Sequence, residues 1–130
     1  MILLDTQVVV WLAGEPERIT QAARDAILKA RAYDAGLAIS DKTLWELAMI
    51  SARGRLKINA TLREFLDATE RWCVVLPVNA AIAERSIQFE HPFPSDPADR
   101  IIAATAIVYA LPLVTADAQI RRSGEVPCIW

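Results

Sequence analysis

Residues 1–5 read Met1-Ile2-Leu3-Leu4-Asp5, a short apolar run that stops at a carboxylate. Consecutive apolar residues without alternation are typical of a strand that is buried on both faces, as in a parallel sheet. An isolated ionised carboxylate is costly to bury, so such a group normally pairs with another group or binds a metal. The stretch therefore predicts a buried strand with a functionally interesting acid at its carboxyl end.

The same combination of an acid and apolar neighbours recurs three times along the chain. The stretches are Leu44-Trp45-Glu46-Leu47-Ala48, Asp96-Pro97-Ala98-Asp99-Arg100-Ile101-Ile102 and Leu113-Val114-Thr115-Ala116-Asp117. If the fold brings these acids together, their mutual repulsion calls for a divalent cation.

Short apolar runs alternate with longer helical patterns, which indicates an α/β domain with a parallel sheet. The predicted strands are Ile2–Leu4, Leu37–Ile39, Cys73–Val78, Leu113–Thr115 and Pro127–Ile129. The predicted helices are Gln21–Tyr33, Lys42–Ala52, Thr61–Trp72, Ala80–Phe89 and Pro97–Ala110. The segment Val8–Trp11 has β-propensity, but Thr6 can cap a helix and no turn residues precede the segment, so we favour a helix there.

The acids fall at informative places on this frame. Asp5 and Asp117 come just after short strands, and in an open parallel sheet ligands bind at the carboxyl ends of the strands. Asp99 lies in the first turn of a helix and Glu46 lies within one. Four acids from four elements are therefore candidates to line one crevice.

Each acid also has a purely structural interpretation. Asp5 and Asp117 are placed to cap the helices that follow their strands, and Asp96 before Pro97 has the pattern of an N-cap with proline at the first helical position. Glu46 lies four residues after Lys42, so the two side chains are candidates for an exposed ion pair. The sequence leaves these alternatives open.

Composition bounds the remaining possibilities. The 130 residues are 54% hydrophobic and 23% charged, which predicts one folded domain spanning 1–130. No run is long enough for a membrane span, the start lacks the basic region of a signal peptide, and Cys73 and Cys128 lack metal-type spacing. We expect a cytoplasmic protein with reduced cysteines.

Charge gives no global sign of nucleic-acid binding, because the net charge is −2. Bound metal ions would nevertheless supply positive charge locally. A small basic run, Arg53, Arg55 and Lys57, follows the Glu46 helix. The run is either an ordinary solvated loop or a place where phosphates meet the protein.

With these motifs in order, the chain resembles the PIN domain, and specifically the VapC-type toxins of toxin–antitoxin pairs. The matching pieces are Leu3-Leu4-Asp5-Thr6, Leu44–Ala48 followed by Gly54-Arg55-Leu56, Asp96–Ala103 and Leu111–Asp117. The resemblance implies a three-layer α/β/α fold with a mostly parallel sheet of about five strands. It also implies a magnesium- or manganese-dependent endoribonuclease (Mg²⁺ or Mn²⁺) that cleaves RNA phosphodiester bonds with a metal-activated water.

The resemblance also implies roles for individual residues and partners. Relatives of this kind dimerise and are inhibited by a VapB-type antitoxin whose tail enters the active-site groove. The implied catalytic and metal-binding quartet is Asp5, Glu46, Asp99 and Asp117, with Asp96, Thr115 and Arg100 as secondary residues.

Other functions fit parts of the pattern. A PIN nuclease of RNA processing would carry the same acids, and an inactive interaction module would use them only as helix caps. A receiver-like phosphoacceptor domain also places acids at strand ends, but it needs a lysine late in the chain, whereas the last lysine here is Lys57.

Overall fold

The computed structural model describes residues 1–130 and contains five strands and seven α-helices. The strands are β1 (Ile2–Leu4), β2 (Leu37–Ser40), β3 (Cys73–Leu76), β4 (Leu113–Val114) and β5 (Cys128–Ile129). The helices are α1 (Thr6–Gly14), α2 (Gln21–Ala32), α3 (Asp41–Ala52), α4 (Leu62–Trp72), α5 (Ala80–Ser86), α6 (Pro97–Val108) and α7 (Ala118–Ser123), with a 3-10 turn at Pro16–Arg18.

The five strands form one sheet in the order β3-β2-β1-β4-β5, and every neighbouring pair is parallel. The chain builds outward from β1 to β2 and β3, then crosses back to add β4 and β5 on the other side of β1. The strand order therefore reverses between β1 and β4. In an open parallel sheet this reversal opens a crevice at the carboxyl ends of the two strands.

Helices cover both faces of the sheet, which confirms the predicted three-layer α/β/α fold. Side chains of β1 alternate between the two cores, as strand geometry requires. Ile2 and Leu4 pack in one core with residues of α1, α2 and α3. Leu3 packs in the other core with residues of α5, α6 and α7.

The segment Val8–Trp11 is helical and belongs to α1, as predicted. The residue that caps this helix is Asp5 rather than Thr6. The side-chain hydroxyl of Thr6 instead donates a hydrogen bond to Glu46. The preceding acid, Asp5, accepts the first backbone N–H of the helix.

Several predicted ends differ from the observed ones by a few residues, and two of these differences have identifiable reasons. Strand β3 stops at Leu76 instead of Val78 because Pro77 has no N–H to donate to the sheet. Helix α5 stops at Ser86 instead of Phe89, since Phe89 leaves the helical path to stack on buried Phe93 at 4.0 Å between ring centroids.

The two cysteines lie on the outermost strands, Cys73 in β3 and Cys128 in β5, and both are free thiols. Three strands separate them in the sheet, so they cannot form a disulfide with each other within one chain. No helix combines the length and the apolar character that crossing a bilayer would require.

Helix α1 ends against the loop that follows α3. A Cβ atom added to Gly14 would lie 2.3 Å from the carbonyl oxygen of Lys57. The Nζ atom of Lys57 also lies 3.4 Å from Oε1 of Glu15. Only glycine permits this backbone approach, which holds the end of α3 beside α1.

Substitution Gly14→Ala is expected to lower the free energy of unfolding by about 1–3 kcal/mol, because the added methyl group forces the α1 and Lys57 backbones apart. In an unobstructed helix the same change would stabilise by about 0.5–1 kcal/mol, so the sign is diagnostic. Urea denaturation measures the difference. A variant as stable as the parent would show that the close approach is relieved without cost.

Candidate active site

A cleft of about 330 Å³ opens at the carboxyl ends of β1 and β4. All four acids of the predicted quartet line it, together with Thr6, Gln7, Ile50 and Ala116. The cleft therefore lies at the reversal of strand order, and its walls come from α1, α3, α6 and the turn after β4.

Asp5 lies at the floor of this cleft and is 8% exposed. Its Oδ1 atom accepts a hydrogen bond from the Thr6 N–H at 2.8 Å, and its Oδ2 atom accepts one from Thr115 Oγ1 at 2.7 Å. The Asp5 N–H donates to the Val114 carbonyl at 3.0 Å, which continues the pairing of β1 with β4. Both carboxylate oxygens are thus fixed in position.

Thr115 connects the two acids that follow the strands. Its buried hydroxyl donates to Asp5 and accepts a hydrogen bond from the Asp117 N–H at 3.1 Å. Asp117 in turn caps α7 through Oδ1, which accepts from the Ile120 N–H at 2.9 Å. Thr115, implied by the resemblance as a secondary site residue, thus lies between these two acids, and its role in the site stays a prediction.

Glu46 is held by a pair of buried threonine hydroxyls. Thr6 Oγ1 donates to Glu46 Oε1 at 2.6 Å and lies 3.0 Å from Thr43 Oγ1. Because a hydroxyl has one proton and Thr6 gives it to the carboxylate, Thr43 must be the donor to Thr6. The chain Thr43→Thr6→Glu46 therefore fixes the carboxylate, and the alternative ion pair with Lys42 does not form: Lys42 Nζ lies over the Trp45 ring, 3.8 Å from its centroid.

The two acids at the start of α6 have different positions. Asp96 is the N-cap, and its Oδ1 atom accepts from the Ala98 N–H at 2.8 Å, as its structural interpretation predicts. It faces an adjoining pocket rather than the acidic cleft. Asp99, one turn into the helix, lines the cleft and makes no hydrogen bond to the protein.

Arg100, proposed above as a secondary residue, does not line the cleft. Its Nε atom donates to the Pro94 carbonyl and its Nη1 atom to the Phe89 carbonyl, both at 2.8 Å. The guanidinium therefore ties the loop between α5 and α6 to the start of α6. This contact supports the position of Asp99 without bringing Arg100 into the site.

Sequence reasoning missed the threonine pair and Gln7. Thr6 directly follows the first acid, and Thr43 precedes Glu46 by three residues, a spacing that places two helical side chains side by side. That spacing was the available signal for Thr43. The contact between Thr6 and Glu46 joins residues 40 apart, and no local pattern indicates it.

Burial and repulsion raise the pKa of three of these carboxyls. Burial raises the pKa of Asp5 against the hydrogen bonds from Thr115 and Thr6. Burial also raises the pKa of Glu46, and the charges of Asp5 and Asp96 act in the same direction. For Asp99, burial and then repulsion from its acidic neighbours raise the pKa to about 7.

The donor set of the cleft fits a hard divalent cation. Every titratable side chain that lines it is a carboxylate, and oxygen ligands suit Mg²⁺ and Mn²⁺. No three His, Cys, Asp or Glu side chains converge closely enough to form a ready-made cage. Burial and then repulsion from the neighbouring carboxylates raise the pKa of Asp99, as expected where several acids share one cleft.

Comparison with known families agrees with the fold and the motifs. The PIN domain profile matches residues 2–126. The chain belongs to the PIN-domain family. It is 32% identical over 131 residues to Ribonuclease VapC22 of Mycobacterium tuberculosis (strain ATCC 25618 / H37Rv), with 99% of this chain and 98% of that protein covered.

Solved structures of toxin–antitoxin complexes share the fold of this PIN domain. VapBC2 from Rickettsia felis, bound to a DNA fragment from its promoter, superposes with a TM-score of 0.76 at 19% identity, covering 98% of this chain and 97% of that one. VapBC-1 from nontypeable Haemophilus influenzae superposes with a TM-score of 0.66 at 21% identity, covering 98% and 96%. At this identity the likeness concerns the fold.

The metal-free protein is expected to lose stability as the pH rises from about 4 to about 7. A carboxyl whose pKa rises from 3.8 to about 7 on folding binds its proton more tightly in the folded state. Its contribution to stability is therefore present at low pH and lost as the pH passes through the folded-state value. Thermal denaturation in EDTA across this range measures the effect.

Asp99→Asn should flatten this pH profile and raise stability at pH 8 by roughly 1 kcal/mol, less than the full shift implies because the side chain is partly exposed. The matched control is Asp25→Asn, an exposed acid on α2 that should alter stability by less than about 0.5 kcal/mol. If Asp99→Asn and the parent show the same dependence of stability on pH, Asp99 is not the group that causes it.

Proposed function

We propose that this chain is a metal-dependent endoribonuclease and the toxin of a toxin–antitoxin pair, acting in the cytoplasm as a single domain over residues 1–130. The observation that carries the proposal is the convergence of four carboxylates on one cleft at the switch point of the sheet. Membership of the PIN family and similarity to Ribonuclease VapC22 support the same activity.

Asp5, Glu46, Asp99 and Asp117 are the residues that would hold Mg²⁺ or Mn²⁺ in this cleft. A bound divalent cation supplies Lewis-acid stabilisation of phosphate charge and makes a water molecule more acidic. The cation also explains how a polyanion approaches four acids, since two divalent ions would offset their formal charge. Asp96 is left with its capping role.

The protein's own contribution is to fix these carboxylates before substrate arrives. Thr115 and the Thr6 N–H set the orientation of Asp5, and the α7 cap sets that of Asp117. Thr43 and Thr6 set the orientation of Glu46. Charged groups that are already in position need little reorganisation during the reaction. This preorganisation is usually the largest electrostatic contribution to catalysis.

The proposed partner proteins are a VapB-type antitoxin and a second copy of the chain. The acidic cleft favours an inhibitory segment that carries basic side chains, because these would satisfy the carboxylates in place of cations. The solved structures of VapBC2 and VapBC-1 have the same fold, which supports a VapB-type partner. Co-purification from the native cell would identify the antitoxin, and light scattering would give the oligomeric state.

Asp5→Asn is expected to lower Mg²⁺-dependent RNA cleavage by more than about 100-fold, since even indirect partners of metal ligands contribute 10–100-fold. The fold should survive, because the asparagine side-chain oxygen can still accept the Thr6 N–H. Gel-based cleavage of labelled RNA with and without EDTA measures the activity. Asp25→Asn should cleave as the parent does, and a fully active Asp5→Asn would remove the nuclease proposal.

Thr43→Val is expected to weaken Mn²⁺ binding by about 10-fold, because Thr6 loses the donor that orients its hydroxyl towards Glu46. Thr43→Ser keeps the hydroxyl and should restore most of the affinity, which loss of packing alone would not explain. The control is Thr105→Val, an equally buried threonine whose hydroxyl donates to the Ile101 carbonyl within α6. Isothermal titration with MnCl₂ measures each affinity, and equal values for all variants would exclude a positioning role.

A further inference from the structure

A second pocket of about 280 Å³ adjoins the acidic cleft along α3. Glu46 and Ile50 line both spaces, so the two spaces adjoin at these side chains. The remaining wall of the pocket includes Lys42, Trp45 and Arg53. These residues follow one face of the helix, from its first turn to its C-terminal cap, over about 16 Å.

The pocket contains the basic side chains that the acidic cleft lacks. Lys42 and Arg53 are the only basic residues that line either space. Neither forms a salt bridge. Two acids, Glu46 and Asp96, line the same pocket, but neither forms an ion pair with Lys42 or Arg53. The two cations are therefore available to an anionic ligand.

Trp45 gives the pocket an aromatic surface. Its side chain is 54% exposed although it is the largest apolar group on the helix. The ammonium of Lys42 lies 3.8 Å from the ring centroid, so one face of the indole already attracts a cation. An exposed aromatic ring beside unpaired cations is the combination that proteins use to bind single-stranded nucleic acid.

We propose that this pocket binds the nucleotide next to the scissile phosphate of a single-stranded RNA. Lys42 and Arg53 contact the phosphate, and the base stacks on Trp45. The position explains the direction of approach, because a polyanion repelled by the acids reaches its first cations here. Lys42 lies about one helical turn before Glu46, and Arg53 lies about two turns after it. The inference rests on the proposed nuclease function and adds the path of the substrate to it.

The same fold contains a matched pair for comparison. Elsewhere on the surface Arg31 lies over the Trp72 ring, 4.2 Å from its centroid, and Trp72 is 60% exposed. This pair has the same chemistry as Lys42 with Trp45, but it lines neither the acidic cleft nor the adjoining pocket. A general effect of removing a surface cation or tryptophan should therefore show equally at both pairs.

The binding test uses fluorescence anisotropy with a fluorescein-labelled 12-nucleotide RNA of randomised sequence, in MgCl₂, with Asp5→Asn as the background that leaves RNA uncleaved. Trp45→Ala should raise the Kd about 10-fold, and Trp45→Phe should restore most of the affinity through stacking. Lys42→Ala and Arg53→Ala should each lower the slope of log Kd against log salt by about 0.7. Arg31→Ala and Trp72→Ala should stay within about twofold of the background.

The catalytic test uses the same substitutions with Asp5 intact. Trp45→Ala and Arg53→Ala should raise KM for RNA and leave kcat nearly unchanged, because they remove binding that is equal in substrate and transition state. Titration with MnCl₂ alone should give the parent affinity. An altered Mn²⁺ affinity would show that the residues act through the acids instead, and would overturn the proposal.

Two further outcomes are decisive. Equal losses at the Trp45 and Trp72 pairs would overturn the subsite while leaving the nuclease intact. A Trp45→Ala variant with parental RNA affinity and an altered mass in light scattering would assign the pocket to contact between copies of the chain. If the protein without substitutions neither binds nor cleaves RNA, the proposed function fails first and the subsite fails with it.

Discussion

The parallel pairing of β1 with β4 is the constraint on which the candidate site depends. The register places Leu4 opposite Val114, so the chain leaves both strands side by side, and Asp5 meets Thr115 across 110 residues of sequence. The two strands are only three and two residues long. The cleft forms at their carboxyl ends, where α3 contributes Glu46 and α6 contributes Asp99.

Capping and participation in the site are compatible roles for these acids. A carboxylate has two oxygens with several acceptor positions, and one N-cap hydrogen bond uses only part of that capacity. Asp117 caps α7 through Oδ1 and still lines the cleft. Asp5 caps α1 in the same way, while its second oxygen accepts from Thr115. The hydrogen bonds that organise the helices thus also orient the acids.

Features that depend on local pattern could be predicted from the sequence. Contacts that depend on which distant side chains are close in the fold could not. The strand ends before Asp5 and Asp117, the cap at Asp96 and the alternation of strands and helices follow from short-range rules. The partner of Lys42 does not, because Lys42 lies near both the ring of Trp45 and the carboxylate of Glu46, and the position of that carboxylate depends on Thr6, 40 residues away. The end of α5 likewise depends on the stacking of Phe89 on a loop residue.

The helices that Asp5 and Asp96 cap also contribute electrostatic charge that a count of ionisable side chains does not include. Each cap marks the amino terminus of a helix at the rim of the cleft, α1 and α6, and a helix amino terminus carries roughly half a unit of positive charge. Together the two termini present about one positive charge to the acids. The backbone therefore contributes a fixed positive charge that offsets part of the negative charge of the acids, in a chain whose formal net charge is −2.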